Sequence, residues 1–261
     1  MKFSLQQNKK VYFASDLHLR MLPDEDSAQR EKDFVQWLDK IKTDAQIIFL
    51  LGDIFDFWFE YRYVIPRGFS HLFGKLKDLT EAGIEIHFFT GNHDLWVLDY
   101  LSIETGVIMH RKITGFEINN LSFLLGHGHN TGPVSFGEKT LANMFKNKFL
   151  RKLFACIHPY WAISFGINWS KRNRAKHGIY EKFDGIEKEE IAIYCLEQLN
   201  QKHYDFFIFG HRHLAMDIRL NENSRYINTG EWMKSYTYAV FDGKNVYLRS
   251  FKKESDIIVI P

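Results

Sequence analysis

The chain has 261 residues, 45% of them apolar, and a formal net charge of +2. That length suits one large α/β domain with an insertion and a sizeable core, while so small a positive excess does not by itself imply a nucleic-acid binder, although basic residues cluster around 146–176. The two cysteines, Cys156 and Cys195, form no CxxC pair, which excludes a disulfide framework, fits a reducing compartment and leaves both thiols as expected packing residues. No stretch offers the ~20 apolar residues of a membrane span, and the amino terminus lacks the pattern of a secretion signal. The expectation is a cytoplasmic protein, at most peripheral on a membrane surface.

In chain order, an apolar run over 10–15 predicts a strand that leads into Asp16-Leu17-His18. Asp24-Glu25-Asp26-Ser27 then opens a helical pattern through Phe34, Trp37, Leu38 and Ile41, with acidic residues at its start. This helix returns the chain to Gln46-Ile47-Ile48-Phe49-Leu50-Leu51, which reads as a buried parallel strand with Gly52-Asp53 where it leaves the core. An aromatic loop follows (Phe55, Phe57, Trp58, Phe59, Tyr61), then a helix through Phe69, Leu72, Phe73, Leu76 and Leu79 that ends near Gly83. A third strand over 84–89 carries Gly91-Asn92-His93-Asp94 at its end, so the βαβ rhythm gives three parallel strands.

Two further apolar runs, 121–125 and 206–209, lead into Gly126-His127 and into Gly210-His211-Arg212-His213. Between them, residues 130–184 break the rhythm. Phe136, Phe145, Phe149, Tyr160, Trp161, Phe165 and Trp169 stand beside Lys146, Lys171, Arg172, Arg174 and Lys176. The pattern predicts amphipathic helices inserted as a cap, either simply the core and wet face of a helical layer or a functional element over the site. A helix over 186–200 precedes the last ligand-bearing strand. Antiparallel hairpins follow through 217–220, 225–228, 236–241 and 246–249, with Asp242-Gly243 as a turn. The final residues have no clear assignment.

Each of these runs therefore delivers oxygen or imidazole ligands at its carboxyl end, where α/β sheets place their sites. Asp16-x-His18, Gly52-Asp53, Gly91-Asn92-His93-Asp94, His127 and Gly210-His211-x-His213, in that order, resemble the five-block signature of the calcineurin-like metallophosphoesterases. The resemblance implies a sandwich of two mixed sheets flanked by helices, with residues 1–261 as one domain and 130–184 as a cap within it. It also implies a first divalent ion on Asp16, His18, Asp53 and His213 and a second on Asp53, Asn92, His127 and His211, with Asp53 as the bridge. Mixed oxygen and imidazole ligands suit manganese, iron or zinc; the resemblance favours manganese. His93 would stand beside the leaving oxygen as a proton or hydrogen-bond donor, oriented by Asp94. Two departures stand out: His129 occupies a position that is usually Asp in the family, and His93 one that is Arg in many members of the branch closest to this chain.

That branch resembles the UDP-2,3-diacylglucosamine diphosphatases of lipid A synthesis, through 15–19, 52–58, 91–94, the cap and 210–213. It implies hydrolysis of a lipid-linked nucleotide sugar to UMP and an acylated sugar 1-phosphate, on the cytoplasmic face of the inner membrane. Trp161, Trp169, Lys171, Arg172 and Arg174 are the expected substrate contacts, aromatic for acyl chains and basic for the diphosphate, and the same cap could rest on an anionic membrane. The alternatives are a soluble phosphodiesterase or nuclease on the same metals, and a non-catalytic scaffold.

Overall fold

The alternating apolar positions resolve into two sheets packed face to face. The computed structural model describes residues 1–21, 24–132, 148–177, 182–252 and 257–260, without the side chains of 148, 171–177, 258 and 260. One sheet runs β12 (Val246–Ser250), β11 (Thr237–Phe241), β2 (Lys10–Ala14), β3 (Ala45–Leu50), β4 (Glu85–Phe89), β5 (Ile108–His110). The other runs β1 (Lys2–Phe3), β6 (Thr114–Ile118), β7 (Leu121–Leu125), β8 (Phe206–Phe209), β10 (Ser224–Thr229), β9 (Ala215–Asn221), β13 (Ile258–Ile260). Both are mixed: β2 through β5 are parallel, whereas β11 joins β2 antiparallel. The short strands β1, β5, β6 and β13 go beyond the expected elements, and β5 extends the parallel run to four.

Two-residue periodicity sends alternate side chains to opposite faces. Val11, Phe13, Ile47 and Phe49 point between the sheets, where Phe13 stacks on Phe49 at 5.3 Å and meets Phe123 of β7 at 6.3 Å. Tyr12, Ala14, Ile48 and Leu50 point outward, under α1 (Glu25–Ile41) and α2 (Ser70–Glu81). Helix α1 starts as its acidic residues suggest: Asp24 accepts a hydrogen bond from the Ser27 amide at 3.0 Å. It buries Phe34, Trp37, Leu38 and Ile41. A six-residue helix, α3 (Tyr100–Thr105), ends at Gly106, whose φ of 75° favours glycine.

The outer face of the second sheet is covered by α6 (Glu190–Leu199), which packs Ile191 and Cys195 on Phe207 and Phe209. Cys195 is thus the packing residue expected of it. Cys156 is exposed, in the turn between α4 (Lys148–Ala155) and α5 (Pro159–His177), and does not share that role. These two helices lie in the 130–184 stretch expected to form a cap; Phe136, Phe145 and Lys146 lie outside the described residues.

Behind the ligand-bearing edge, His87 on β4 stacks on Phe49 at 4.7 Å, with its Nδ1 2.8 Å from His110 Nε2. Burial, and then the neighbouring His110, push His87 down from 6.5 to about 3. Between those values the unfolded chain binds a proton that the folded chain refuses, so this residue lowers stability as pH falls from about 6.5 towards 3. His87→Gln should therefore flatten the acid dependence of the unfolding free energy by about 1–2 kcal/mol between pH 7 and 5 in urea titrations. Identical slopes would show that His87 protonates freely in the folded protein.

Candidate metal centre

The turns after β2, β3, β4, β7 and β8 meet at one edge of the sandwich. Their geometry is unusual for ordinary residues: φ is positive at Asp16 (56°), His18 (48°), Asp53 (52°), His211 (73°) and His213 (54°). Side chains carrying a Cβ occupy this left-handed region at a cost. The strain is held by backbone bonds between the turns, Asp16 N to Gly52 O at 3.1 Å and His18 N to Asp53 O at 2.9 Å. A further bond ties the Gly210 amide to His127 O at 3.0 Å.

Among the described residues, potential ligand atoms form three groups, one of them His18, Asp56 and His93, and the other two hold the predicted ligands. Asp16, His18 and His213 offer atoms within 4.8 Å of one another, and so do Asp53, His127 and His211. Asn92 Oδ1 joins the second group, 3.1 Å from His127 Nε2. Asp53 Oδ2 faces both, 3.8 Å from His18 Nε2 and 3.2 Å from His127 Nε2. All seven predicted ligands are therefore brought together. Of the two neighbouring histidines, His127 enters the cluster: its Nδ1 lies 2.8 Å from Leu51 O, a carbonyl that can only accept, which turns Nε2 towards Asp53. His129 instead has Nε2 2.7 Å from the Asn130 amide nitrogen.

These residues fit a pair of hard-to-borderline dications. Asp16 and Asp53 are buried carboxylates, which require positive charge nearby. Nε2 of His18 and Nε2 of His213 face each other at 3.1 Å, an arrangement suited to lone pairs converging on a cation. Electrostatics point the same way. Burial raises the Asp53 carboxyl, but His127, His93 and His18 outweigh it and hold it well below the usual range. Burial likewise opposes charge on His127, yet Asp53 raises it to about 10.

Asp94 does not orient His93 in the expected way. Its carboxylate accepts from the Gly91 amide at 2.6 Å and the Ile54 amide at 2.9 Å, which clamps the β4 turn to the β3 turn. Burial first, and then Asp53, raise it to about 7. His93 is held by two residues that motif reading missed: its Nδ1 lies 2.8 Å from Asp56 O and 3.1 Å from Ser170 Oγ. Asp56 sits within the Asp53 block and had a signal in its spacing; Ser170, on α5, had none. Asp56 Oδ1 also faces His18 Nδ1 at 3.6 Å.

Beside His93 lies an apolar recess lined by Phe57, Trp96, Phe154, Phe165 and Trp169. Trp169, one of the expected substrate contacts, lines this recess. Trp161 is elsewhere, 67% exposed on the outward side of α5. Lys171, Arg172 and Arg174 continue that helix, but their side chains lie outside the described residues.

The family model for calcineurin-like phosphoesterases matches residues 9–215. The chain belongs to the calcineurin-like phosphoesterase family. Its relatives include the UDP-2,3-diacylglucosamine hydrolase of Porphyromonas gingivalis, 36% identical over 256 residues that cover 93% of this chain and 98% of that one. The Haemophilus influenzae (strain PittGG) protein of the same name is 26% identical, over 87% and 92%. Among solved structures, a dimetal phosphatase from Danio rerio has a TM-score of 0.46 at 12% identity, over 94% of this chain and 99% of that one. As a calcineurin-like phosphoesterase, the protein is a metal-dependent phosphoester hydrolase.

Close approach around Asp53 gives a sharp test. A Cβ at Gly91 would fall on the Asp53 carboxylate, 2.8 Å from Cγ, so Gly91→Ala should displace the shared ligand while the sheets remain intact. We expect activity to fall about 100-fold, the scale of a 1 Å misplacement, with reduced metal content by elemental analysis. Wild-type metal content and turnover would mean that the turn absorbs the methyl group.

Proposed function

We propose that the protein hydrolyses the diphosphate of UDP-2,3-diacylglucosamine, releasing UMP and the acylated sugar 1-phosphate. The observation that carries this reading is adjacency: the two ligand groups sharing Asp53 open directly beside an aromatic recess, through His93. A substrate with anionic and lipid parts matches that pairing, and the relatives' names support it. One ion would be held by Asp16, His18, Asp53 and His213, the other by Asp53, Asn92, His127 and His211. When bound, two such ions, manganese on the family resemblance, supply Lewis acidity and lower the pKa of a water.

The chain's own residues do the rest. His93, buried at the boundary between cluster and recess, can give a proton or hydrogen bond to the bridging oxygen as it leaves. Water adds to one phosphorus, the bond to that oxygen breaks, and the proton ends on the departing phosphate. Phe57, Trp96, Phe154, Phe165 and Trp169 exclude water from the acyl chains, with roughly 25 cal/mol gained per Å² of apolar surface covered. Lys171, Arg172 and Arg174 are placed in sequence to meet the diphosphate.

No described helix is long and apolar enough to cross a membrane. On the outward side of α4 and α5, Phe149, Leu153, Tyr160 and Trp161 are exposed beside Lys152. We assign this face to peripheral contact with an anionic bilayer, from which the substrate would enter.

With Mn²⁺, the acylated UDP-glucosamine should be cleaved well ahead of its deacylated form; cleavage of a model phosphodiester without any of the acylated substrate would overturn the substrate assignment. Asp53→Ala should lose metal together with about 10³-fold in turnover, about 4 kcal/mol of barrier, and retained turnover with both ions bound would refute the bridge.

The two tryptophans should separate. Trp169→Ala is expected to raise KM for the acylated substrate about tenfold, the scale of one lost aromatic contact, and to spare a small chromogenic diester. Trp161→Ala should weaken binding to phosphatidylglycerol vesicles and leave turnover in detergent intact. Equal losses on both substrates for Trp169→Ala would remove the recess as the acyl site.

A further inference from the structure

Helix α5 reaches the centre through a small residue at the end of a small-residue stripe. Ala162, Gly166 and Ser170 are spaced four apart, so they share one face, and Ala162 and Ser170 are 1% and 0% exposed. A Cβ at Gly166 would collide with the Phe57 ring; the helix is therefore seated against the loop that follows Asp53. One turn further on, Ser170 Oγ donates to Asp56 Oδ1 at 2.9 Å. With its only proton committed there, the hydroxyl can only accept from His93 Nδ1, 3.1 Å away.

The carbonyl of Asp56, 2.8 Å from the same nitrogen, is also an obligate acceptor. Both partners demand a proton on Nδ1, so the ring donates to the leaving oxygen from Nε2, its opposite edge, as the imidazolium, and the neutral ring left after that transfer keeps its proton on Nδ1. Phe165 and Trp169, on an adjoining stripe of the helix, line the recess. The element that would cover the acyl chains thus also grips the imidazole.

We propose that Ser170 is a positioning residue that fixes the tautomer and direction of His93, wiring the helix over the apolar recess to the reaction centre. This deepens the reading above and rests on His93 standing at the leaving oxygen. Asp56 is the second half of the device, since it holds the hydroxyl with its carboxylate and the ring with its carbonyl. Its other carboxylate oxygen is 4.0 Å from Arg20 Nε, beyond hydrogen-bond reach.

A group that helps the leaving oxygen matters more when that oxygen leaves badly. Ser170→Ala, His93→Ala and the double variant should therefore be compared on diphenyl phosphate and bis(4-nitrophenyl) phosphate, and on the acylated UDP-sugar. Ser170→Ala should cut kcat about tenfold on diphenyl phosphate and on the acylated substrate, less than twofold on the nitrophenyl ester, with KM little changed. In the His93→Ala background it should cost less than twofold on every substrate. Equal loss on both diesters, or the same loss without His93, would make Ser170 structural and overturn the proposal.

If His93→Ala itself shows no leaving-group dependence, the role of His93 fails instead; if only the acylated UDP-sugar resists cleavage, the substrate assignment fails and the diesters still decide Ser170. Nitrogen NMR of the Zn²⁺-loaded wild type gives a readout without turnover. A neutral His93 ring should carry its proton on Nδ1, and a proton on Nε2 would overturn the assignment.

Discussion

The centre depends on where the Asp53 carboxylate is held. Its Oδ1 accepts from the His93 amide at 2.9 Å, so Oδ2 is left to face His18 and His127. Three features secure that orientation: a left-handed backbone at Asp53, Gly52 at φ 90° before it, and a glycine at 91 whose absent side chain leaves the carboxylate its space. None is favourable alone for an ordinary turn. They persist because β2, β3 and β4 are parallel neighbours whose ends are already aligned by the ladder. The sheet supplies the rigidity, and the turns convert it into ligand direction.

The convergence of the candidate ligands is legible because its information is local. Each ligand follows a run of apolar residues, and a buried parallel strand ending in Asp or His states both a position and a chemistry within a few residues. The hairpins β9–β10 and β11–β12 were legible for the same reason. Strands β1 and β5, of two and three residues, were too short to show a period. Asp94 was misjudged because adjacency in sequence suggested contact, whereas its carboxylate turns back onto amides of its own and the preceding turn. Ser170 lies 77 residues from His93, and no periodicity links residues across such a gap.

The insertion shows why composition alone misplaces residues. A helix rich in large aromatics invites the reading that they face inward. In α5 the buried face carries Ala162, Gly166 and Ser170, of which Ser170 bonds to the centre, while Tyr160 and Trp161 are 65% and 67% exposed. Small residues let backbone and hydroxyl come close to a crowded polar site, where a ring would force the helix away. Trp169 lines the recess from an intermediate position. A helix with large apolar groups on more than one side gives no single face to periodicity analysis.

This arrangement also explains how an apolar recess and a charged cluster coexist a few ångströms apart. Low-polarity walls strengthen every interaction among the groups they enclose, and they raise the cost of any polar atom left unpaired. The boundary residue must therefore satisfy both sides. His93 does so with Nδ1 committed to Asp56 and Ser170 and its ring edge-on to His18 at 4.8 Å. An imidazole can be neutral and apolar on its faces while directional at its nitrogens. An arginine at that position would bring permanent charge and donors only, needing no carbonyl to choose a tautomer. The Asp56–Ser170 pair is thus the complement of having histidine there: substitution of the boundary group changes what its supports must provide.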